Sequence, residues 1–168
     1  MPIEPAIKTP PSISIATAVP QTFQSTASAN PTAAINAAPD LPSGTAKGSL
    51  TFDDATTALT YAAAFADQKD ERKPVILLLS DKKLPAEKWT NEFDMMLSGT
   101  KFNGIVFFLD KEGKVFRTDV HMKDRQTGVS GIFELKLDNP TSKDLTGTAA
   151  ATAGRSDKLE VAFHATLK

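Results

Sequence analysis

The chain has 168 residues and a mass of 17.9 kDa, which allows one ordinary domain with an appendage. The 20 acidic and 19 basic residues give a formal charge of −1, so the basic excess typical of nucleic-acid-binding proteins is missing and we expect no nucleic-acid partner. The sequence contains no apolar run of about eighteen residues, which argues against a transmembrane helix. It also contains no cysteine, which excludes disulfides, thiol catalysis and cysteine zinc sites.

The composition changes near residue 47. Segment 1–47 holds eight of the eleven prolines, few charged residues and a single aromatic residue, Phe23. Such a segment buries too little apolar surface to offset the entropy lost on ordering, so we predict an extended tail or linker. The alternative is a tail that becomes ordered along a partner surface, as proline-rich segments do.

The location of the protein is predicted from the same segment. Met1–Glu4 lacks the basic start of a secretory signal, and no such signal is visible in the chain as numbered. A long linker rich in Ala, Pro, Ser and Thr ahead of a β domain is nevertheless common in exported bacterial proteins. We therefore expect an extracytoplasmic location, periplasmic or secreted.

Segment 48–168 is predicted to be a single antiparallel β domain, because its apolar residues mostly alternate with polar ones. Short connections make neighbouring strands antiparallel, and about eight of them indicate a sandwich or an up-and-down barrel. The predicted strands contain Leu50–Phe52, Leu59–Phe65, Val75–Leu79, Ile105–Leu109, Phe116–Val120, Val129–Leu137, Leu145–Ala151 and Leu159–Leu167. In the second of these, one face is expected to carry Leu59, Tyr61, Ala63 and Phe65.

Two of these strands, Val75–Leu79 and Ile105–Leu109, are apolar on both faces and therefore need a second cover. The segment between them predicts one α-helix at about 85–97, with Pro85 in the first turn and Gly99 after the end. Its apolar stripe follows the spacing i, i+4, i+7 and i+8, and we expect this stripe to pack on the sheet. A surface for a partner is the alternative. The stripe consists of Trp89, Phe93, Met96 and Leu97.

Few residues are suited to chemistry. Asp119 and His121 share a strand face with Arg117, and such a pair could bind a metal or orient a base, but a solvated polar face is the simpler interpretation. His164 lies on the outward face of the last strand, where the same interpretation applies. The sequence has no phosphate loop, nucleophile elbow or zinc-helix motif. We therefore expect no catalytic residue, no metal site and no cofactor.

Several segments resemble a recurring set of exported bacterial all-β proteins of no known activity. The resembling segments are Gly48–Phe52, Leu59–Phe65, Leu78–Pro85 and Glu160–Ala165. The most distinctive part is the Leu-Ser-Asp-x-x-Leu-Pro stretch that ends at Pro85, ahead of the predicted helix. This chain has Tyr61 and Ala63 where members of the set tend to have His and Tyr. The resemblance implies an exported β domain and supplies no mechanism.

Two functions are consistent with the sequence. The first is a non-catalytic accessory or structural protein, whose β domain docks on a larger protein assembly while the tail acts as a tether or docking arm. The second is a small-molecule-binding module with an apolar pocket beside the helix, at Trp89 and Phe93. The small residues of Leu145–Ala151 could leave internal room for a ligand, or could let another sheet approach closely. An enzyme would be supported only if Asp119 and His121 were buried beside a further carboxylate.

Overall fold

The computed structural model describes residues 40–168, which form a mainly β domain of nine antiparallel strands. The strands are β1 (Thr45–Phe52), β2 (Ala55–Ala66), β3 (Val75–Ser80), β4 (Gly104–Leu109), β5 (Val115–Met122), β6 (Arg125–Val129), β7 (Phe133–Leu137), β8 (Asp144–Ala151) and β9 (Lys158–Thr166). A 3₁₀ turn (Ala86–Lys88) and one short helix, α1 (Glu92–Leu97), lie between β3 and β4. Within residues 40–168, no helix has the length and hydropathy to cross a bilayer.

The domain begins slightly before the predicted boundary. Most of the predicted tail lies outside the described residues, but β1 starts at Thr45, three residues before position 48. Pairing with β9 explains the early start, because the Gly44 amide donates to the His164 carbonyl at 2.8 Å. The His164 ring extends this attachment, with Nδ1 2.7 Å from the Leu41 carbonyl oxygen.

All nine strands belong to one curled sheet with the order β6-β5-β4-β3-β2-β1-β9-β8-β7, which makes a half-barrel. The predicted antiparallel β architecture with a helical segment is therefore confirmed. The ninth strand is β6, which the sequence prediction missed except for its last residue, Val129. The predicted strand Val129–Leu137 is interrupted at 130–132, where Gly131 has φ +64°. β6 pairs with β5 and β7 pairs with β8, so Val129 and Phe133–Leu137 lie at opposite edges of the sheet.

The short connection between β6 and β7 explains why these two edge strands do not pair with each other. Every neighbouring pair in the sheet is antiparallel, so β6 and β7, at the two ends of the nine-strand order, run in the same direction. Parallel neighbours need a crossover of a dozen or more residues, whereas only residues 130–132 connect β6 to β7. The sheet still curls far enough that a side chain at Gly113, in the β4–β5 turn, would collide with Pro140 after β7.

The concave face of the sheet carries the inner core. Alternate residues of the strands point into it, as the period of two predicts, and Phe107 and Phe163 are fully buried there. Leu145 and Ala149 of β8 also face this core. At Gly147 the backbone of Lys136 in the paired strand β7 comes too close for a side chain, so this glycine accommodates its own neighbour in the sheet and not a second sheet.

One predicted face in β2 is wrong. Leu59 packs in the inner core whereas Phe65 packs on the opposite face, and Tyr61 between them is 38% exposed. The alternation shifts by one residue at Thr60–Tyr61, where the register between β1 and β2 is also irregular. Such irregularities rotate a strand locally, and an average alternation pattern does not reveal them.

The convex face of β3 and β4 carries the outer core, and the segment 84–102 covers it. Ile76 and Leu78 of β3 and Val106 and Phe108 of β4 pack there against this segment. The prediction that both faces of these strands are buried is confirmed, and so is the position of the cover.

The predicted helix over 85–97 is wrong in its start and in its face. The 3₁₀ turn ends at Lys88, and α1 begins only after Asn91, whose side chain accepts a hydrogen bond from the Asp94 amide at 3.1 Å. Asn91 is therefore the N-cap, a preferred residue at that position, and it restarts the chain in a new direction. As a result, Trp89 and Met95 point into the outer core, whereas the rest of the predicted stripe faces solvent.

Candidate functional site

The most unusual surface feature is the solvent-facing side of α1. Phe93, Met96 and Leu97, which we call the α1 ridge, are 60%, 57% and 68% exposed. They occupy positions i, i+3 and i+4, so they form one continuous face of the helix. The three side chains are contiguous, unlike apolar side chains scattered singly over a protein, which makes the ridge a candidate interaction surface.

The local structure holds the ridge in place. Met95 anchors α1 in the outer core at 5% exposure. At the start of the helix, the buried carboxylate of Asp67 accepts a hydrogen bond from the Glu92 amide at 2.8 Å. The Asp94 carboxylate accepts from the amide and the hydroxyl of Thr90, and these bonds lower the Asp94 pKa. A helix of six residues is too short to be stable alone, so these contacts fix the orientation of the ridge.

A cleft of about 300 Å³ lies beside the ridge, and we call it the helix cleft. Met95 and Met96 contribute to one of its walls, and Phe102 and His121 supply aromatic surface. The remaining lining comes from the loop after α1, from the β5–β6 turn and from the start of β6. It comprises Gly99, Thr100, Lys101, Asp124, Arg125 and Gln126.

His121 is partly buried in the wall of this cleft. Its ring stacks on Phe102 with a centroid distance of 4.5 Å and an interplanar angle of 18°. Its Nε2 atom is buried and has no hydrogen-bond partner in residues 40–168. Burial lowers the pKa of His121; the charge of Asp119 opposes this effect and that of Arg117 adds to it. The neutral imidazole is therefore favoured in the folded protein.

Asp119 is buried and forms an ion pair with the partly exposed Arg117, so the interpretation of Asp119 as part of a solvated face is wrong. The Asp119 side chain is 3% exposed, and its carboxylate accepts from Arg117 Nε at 3.1 Å and from Gln126 Nε2 at 2.9 Å. Arg117 also reaches Glu92 of α1 at 2.9 Å and stacks 4.3 Å above the Phe108 ring. Burial lowers the Arg117 pKa, but the bonds and charges of Asp119 and Glu92 outweigh it and raise the pKa.

This network has two features that would support an enzyme. Asp119 is buried, and a further carboxylate lies at Arg117. Asp119 and His121 lie near each other on β5, and Glu92 is the second carboxylate. However, Arg117 binds both carboxylates, so the arrangement links α1 to the sheet. Among residues 40–168, no three side chains of the types that bind metals come together as a candidate metal site.

The two residues predicted to line a ligand pocket lie in different environments. Trp89 is 7% exposed in the outer core, with its ring 5.7 Å from that of Phe65 in an edge-to-face arrangement. Phe93 belongs to the exposed ridge. Neither contributes to the lining of the helix cleft. Asn91 is the sequence signal that separates Trp89 from Phe93, because as the N-cap it begins α1 after the 3₁₀ turn has ended.

A second cleft, of about 530 Å³, lies where β1, β2 and the segment after β3 meet. Ala62–Ala64 line it with small side chains, and Tyr61, Lys83 and Glu87 add polar groups. Tyr61 and Ala63, the two positions at which the chain departs from the resembling proteins, are therefore neighbours in one cleft.

Comparison of the chain with models of known protein families, with curated proteins and with solved structures finds no match. The resemblance to exported bacterial β proteins therefore stays a hypothesis based on the sequence segments alone.

Proposed function

We propose that this protein is a non-catalytic accessory or structural protein that docks on a protein partner through the α1 ridge. The exposure of Phe93, Met96 and Leu97 on one face of an anchored helix carries this proposal. In the free protein these side chains stay largely in water and contribute little to folding, whereas covering them on association removes their apolar surface from water. The location remains part of the proposal: an exported protein whose segment 1–47 acts as tether or docking arm.

Two further observations support docking over catalysis. Arg117 binds the buried Asp119 on β5 and Glu92 on α1, so these polar groups hold α1 on the sheet. The ridge also borders a cleft, because Met96 belongs to both, so a partner can cover the ridge and fill the cleft together. A rigid, preorganised apolar surface of this kind reduces the entropy lost on binding.

Affinity capture from an extract of the source organism tests the proposal. The full chain should retain a stoichiometric protein, and Phe93→Ser with Leu97→Ser should reduce its recovery about tenfold, as loss of two apolar anchors predicts. Phe116→Ser is the matched control, because Phe116 is 43% exposed on β5 outside the ridge. Equal recovery by both variants would contradict docking through the ridge. Comparison with a chain beginning at Asp40 separates the contribution of the tail.

Small-molecule binding is a second candidate, favoured by the helix cleft. Its volume of about 300 Å³ is at the lower end for ligand pockets, and Phe102 with His121 offers a flat surface for an aromatic group. In a screen of small aromatic compounds, ligands should raise the unfolding temperature, and Phe102→Ala should abolish the shift. A shift that survives Phe102→Ala would place the ligand elsewhere.

A further inference from the structure

We infer that the partner covering the α1 ridge is a second copy of this chain, packed about a two-fold axis with the two α1 helices antiparallel. The inference rests on the proposed function, since it names the occupant of the same surface. A two-fold interface requires a surface that is complementary to itself, with each element meeting its own image in the reverse direction.

The charge distribution along α1 meets this requirement. Glu92 and Asp94 lie in its first turn, whereas the basic side chains Lys101 and Arg125 border the helix cleft beyond its last turn. Glu92 is bound by Arg117 and Lys101 by Asp124, while Asp94 and Arg125 have no ion pair within the described part of the chain. Antiparallel packing places Asp94 of one copy near Arg125 of the other at both ends of the interface, with the apolar ridges between them.

The size of the surface supports a weak, reversible dimer. Three large side chains at this exposure provide a patch of roughly 300 Å², whereas a stable partner buries about 800 Å². The helix cleft next to the ridge enlarges the contact, because the ridge of one copy can enter the cleft of the other. We expect association in the micromolar range, so that the protein exchanges between monomer and dimer.

Sedimentation velocity of the full chain over a range of concentrations tests the dimer. The average mass should rise from 17.9 kDa towards twice that value. Leu97→Asp should raise the dissociation constant of the dimer at least about tenfold, and Arg125→Asp should raise it several-fold. Phe116→Asp and Lys136→Asp are matched controls on β5 and β7, and they should leave it unchanged. Circular dichroism confirms that each variant is folded.

Cysteine cross-linking tests the orientation, because the chain contains no cysteine of its own. Under mild oxidation, a mixture of Phe93→Cys and Leu97→Cys chains should form mainly the mixed disulfide, since antiparallel helices bring these positions together. A chain that stays monomeric at every concentration overturns the inference, and preferential coupling of Phe93→Cys to itself overturns the antiparallel arrangement.

The two proposals can fail separately. If the chain is monomeric and ridge variants still lose the protein captured from the extract, docking through the ridge stands and the dimer is wrong. If the ridge variants alter neither self-association nor capture, both proposals are wrong.

Discussion

The inner and outer cores bury opposite faces of the same central strands, yet they are built differently. The inner core consists of side chains that alternate along the strands, which are neighbours in one hydrogen-bonded sheet. The outer core depends on an irregular segment, in which a 3₁₀ turn and a short helix place Trp89, Met95 and Phe102 on β3 and β4. The difference shows that an irregular segment can cover a sheet face. A regular amphipathic helix with a fully buried apolar stripe is not required.

The largest expected loss comes from the inner core. Phe107→Ala should lower the free energy of unfolding by about 4 kcal/mol, because it removes a fully buried ring and leaves a cavity between strands that cannot collapse. Urea unfolding measures the change. Phe116→Ala, at an exposed ring, serves as control and should cost about 1 kcal/mol or less. Similar losses for the two variants would contradict a tightly packed inner core.

The outer core should show a sharp contrast within one segment. Trp89→Ala should cost about 3 kcal/mol, because the indole packs in the outer core against Phe65. Phe93→Ala should change the stability by only about 0.5 kcal/mol, because its ring faces solvent in the monomer. The comparison is made at a concentration low enough to prevent association. Equal costs would mean that both side chains are buried, as a continuous helix over 85–97 would require.

Loss of the Arg117–Asp119 ion pair on β5 should have an intermediate effect on stability. Arg117→Met should cost about 2–3 kcal/mol, because it leaves the Asp119 carboxylate buried with Gln126 as its remaining side-chain donor. Arg72→Met is the control, since that arginine forms an exposed pair with Asp70. Adding Asp119→Leu to Arg117→Met should recover part of the loss. Failure to recover would indicate that the shape of the site, not the unpaired charge, causes the cost.

The smallest effect concerns pH. Burial lowers the His121 pKa of the folded protein below its ordinary value of 6.5. As the pH falls below that value, the unfolded chain therefore binds a proton at His121 more readily than the folded protein does. The contribution of His121 to stability is therefore complete above pH 6.5 and is lost as the pH falls through that value towards the lower folded pKa. His121→Phe should flatten the fall in urea midpoint between about pH 7 and pH 5. Parallel pH profiles for the two proteins would refute a buried neutral imidazole.

Much of the fold could be predicted because the period of two records which side chains are buried. Local pattern and segment length predict that β3 and β4 are buried on both faces. They also predict the antiparallel connections and the position of the outer cover. The candidate site could not be predicted in the same way. The stripe of Trp89, Phe93, Met96 and Leu97 fits one helix face by spacing, but Asn91 interrupts that helix and turns three of the four residues outwards.

The sequence by itself determined the strand content, the buried faces of the central strands and the absence of thiol chemistry, since these depend on composition and on neighbours along the chain. The tertiary structure alone decided three features. It separated β6 from β7 at Gly131, it buried Asp119 against Arg117, and it exposed the α1 ridge. Each also depends on contacts that a local pattern does not record. β6 pairs with β5 and β7 with β8, Glu92 and Gln126 complete the network of Arg117 and Asp119, and Asp67 holds the start of α1.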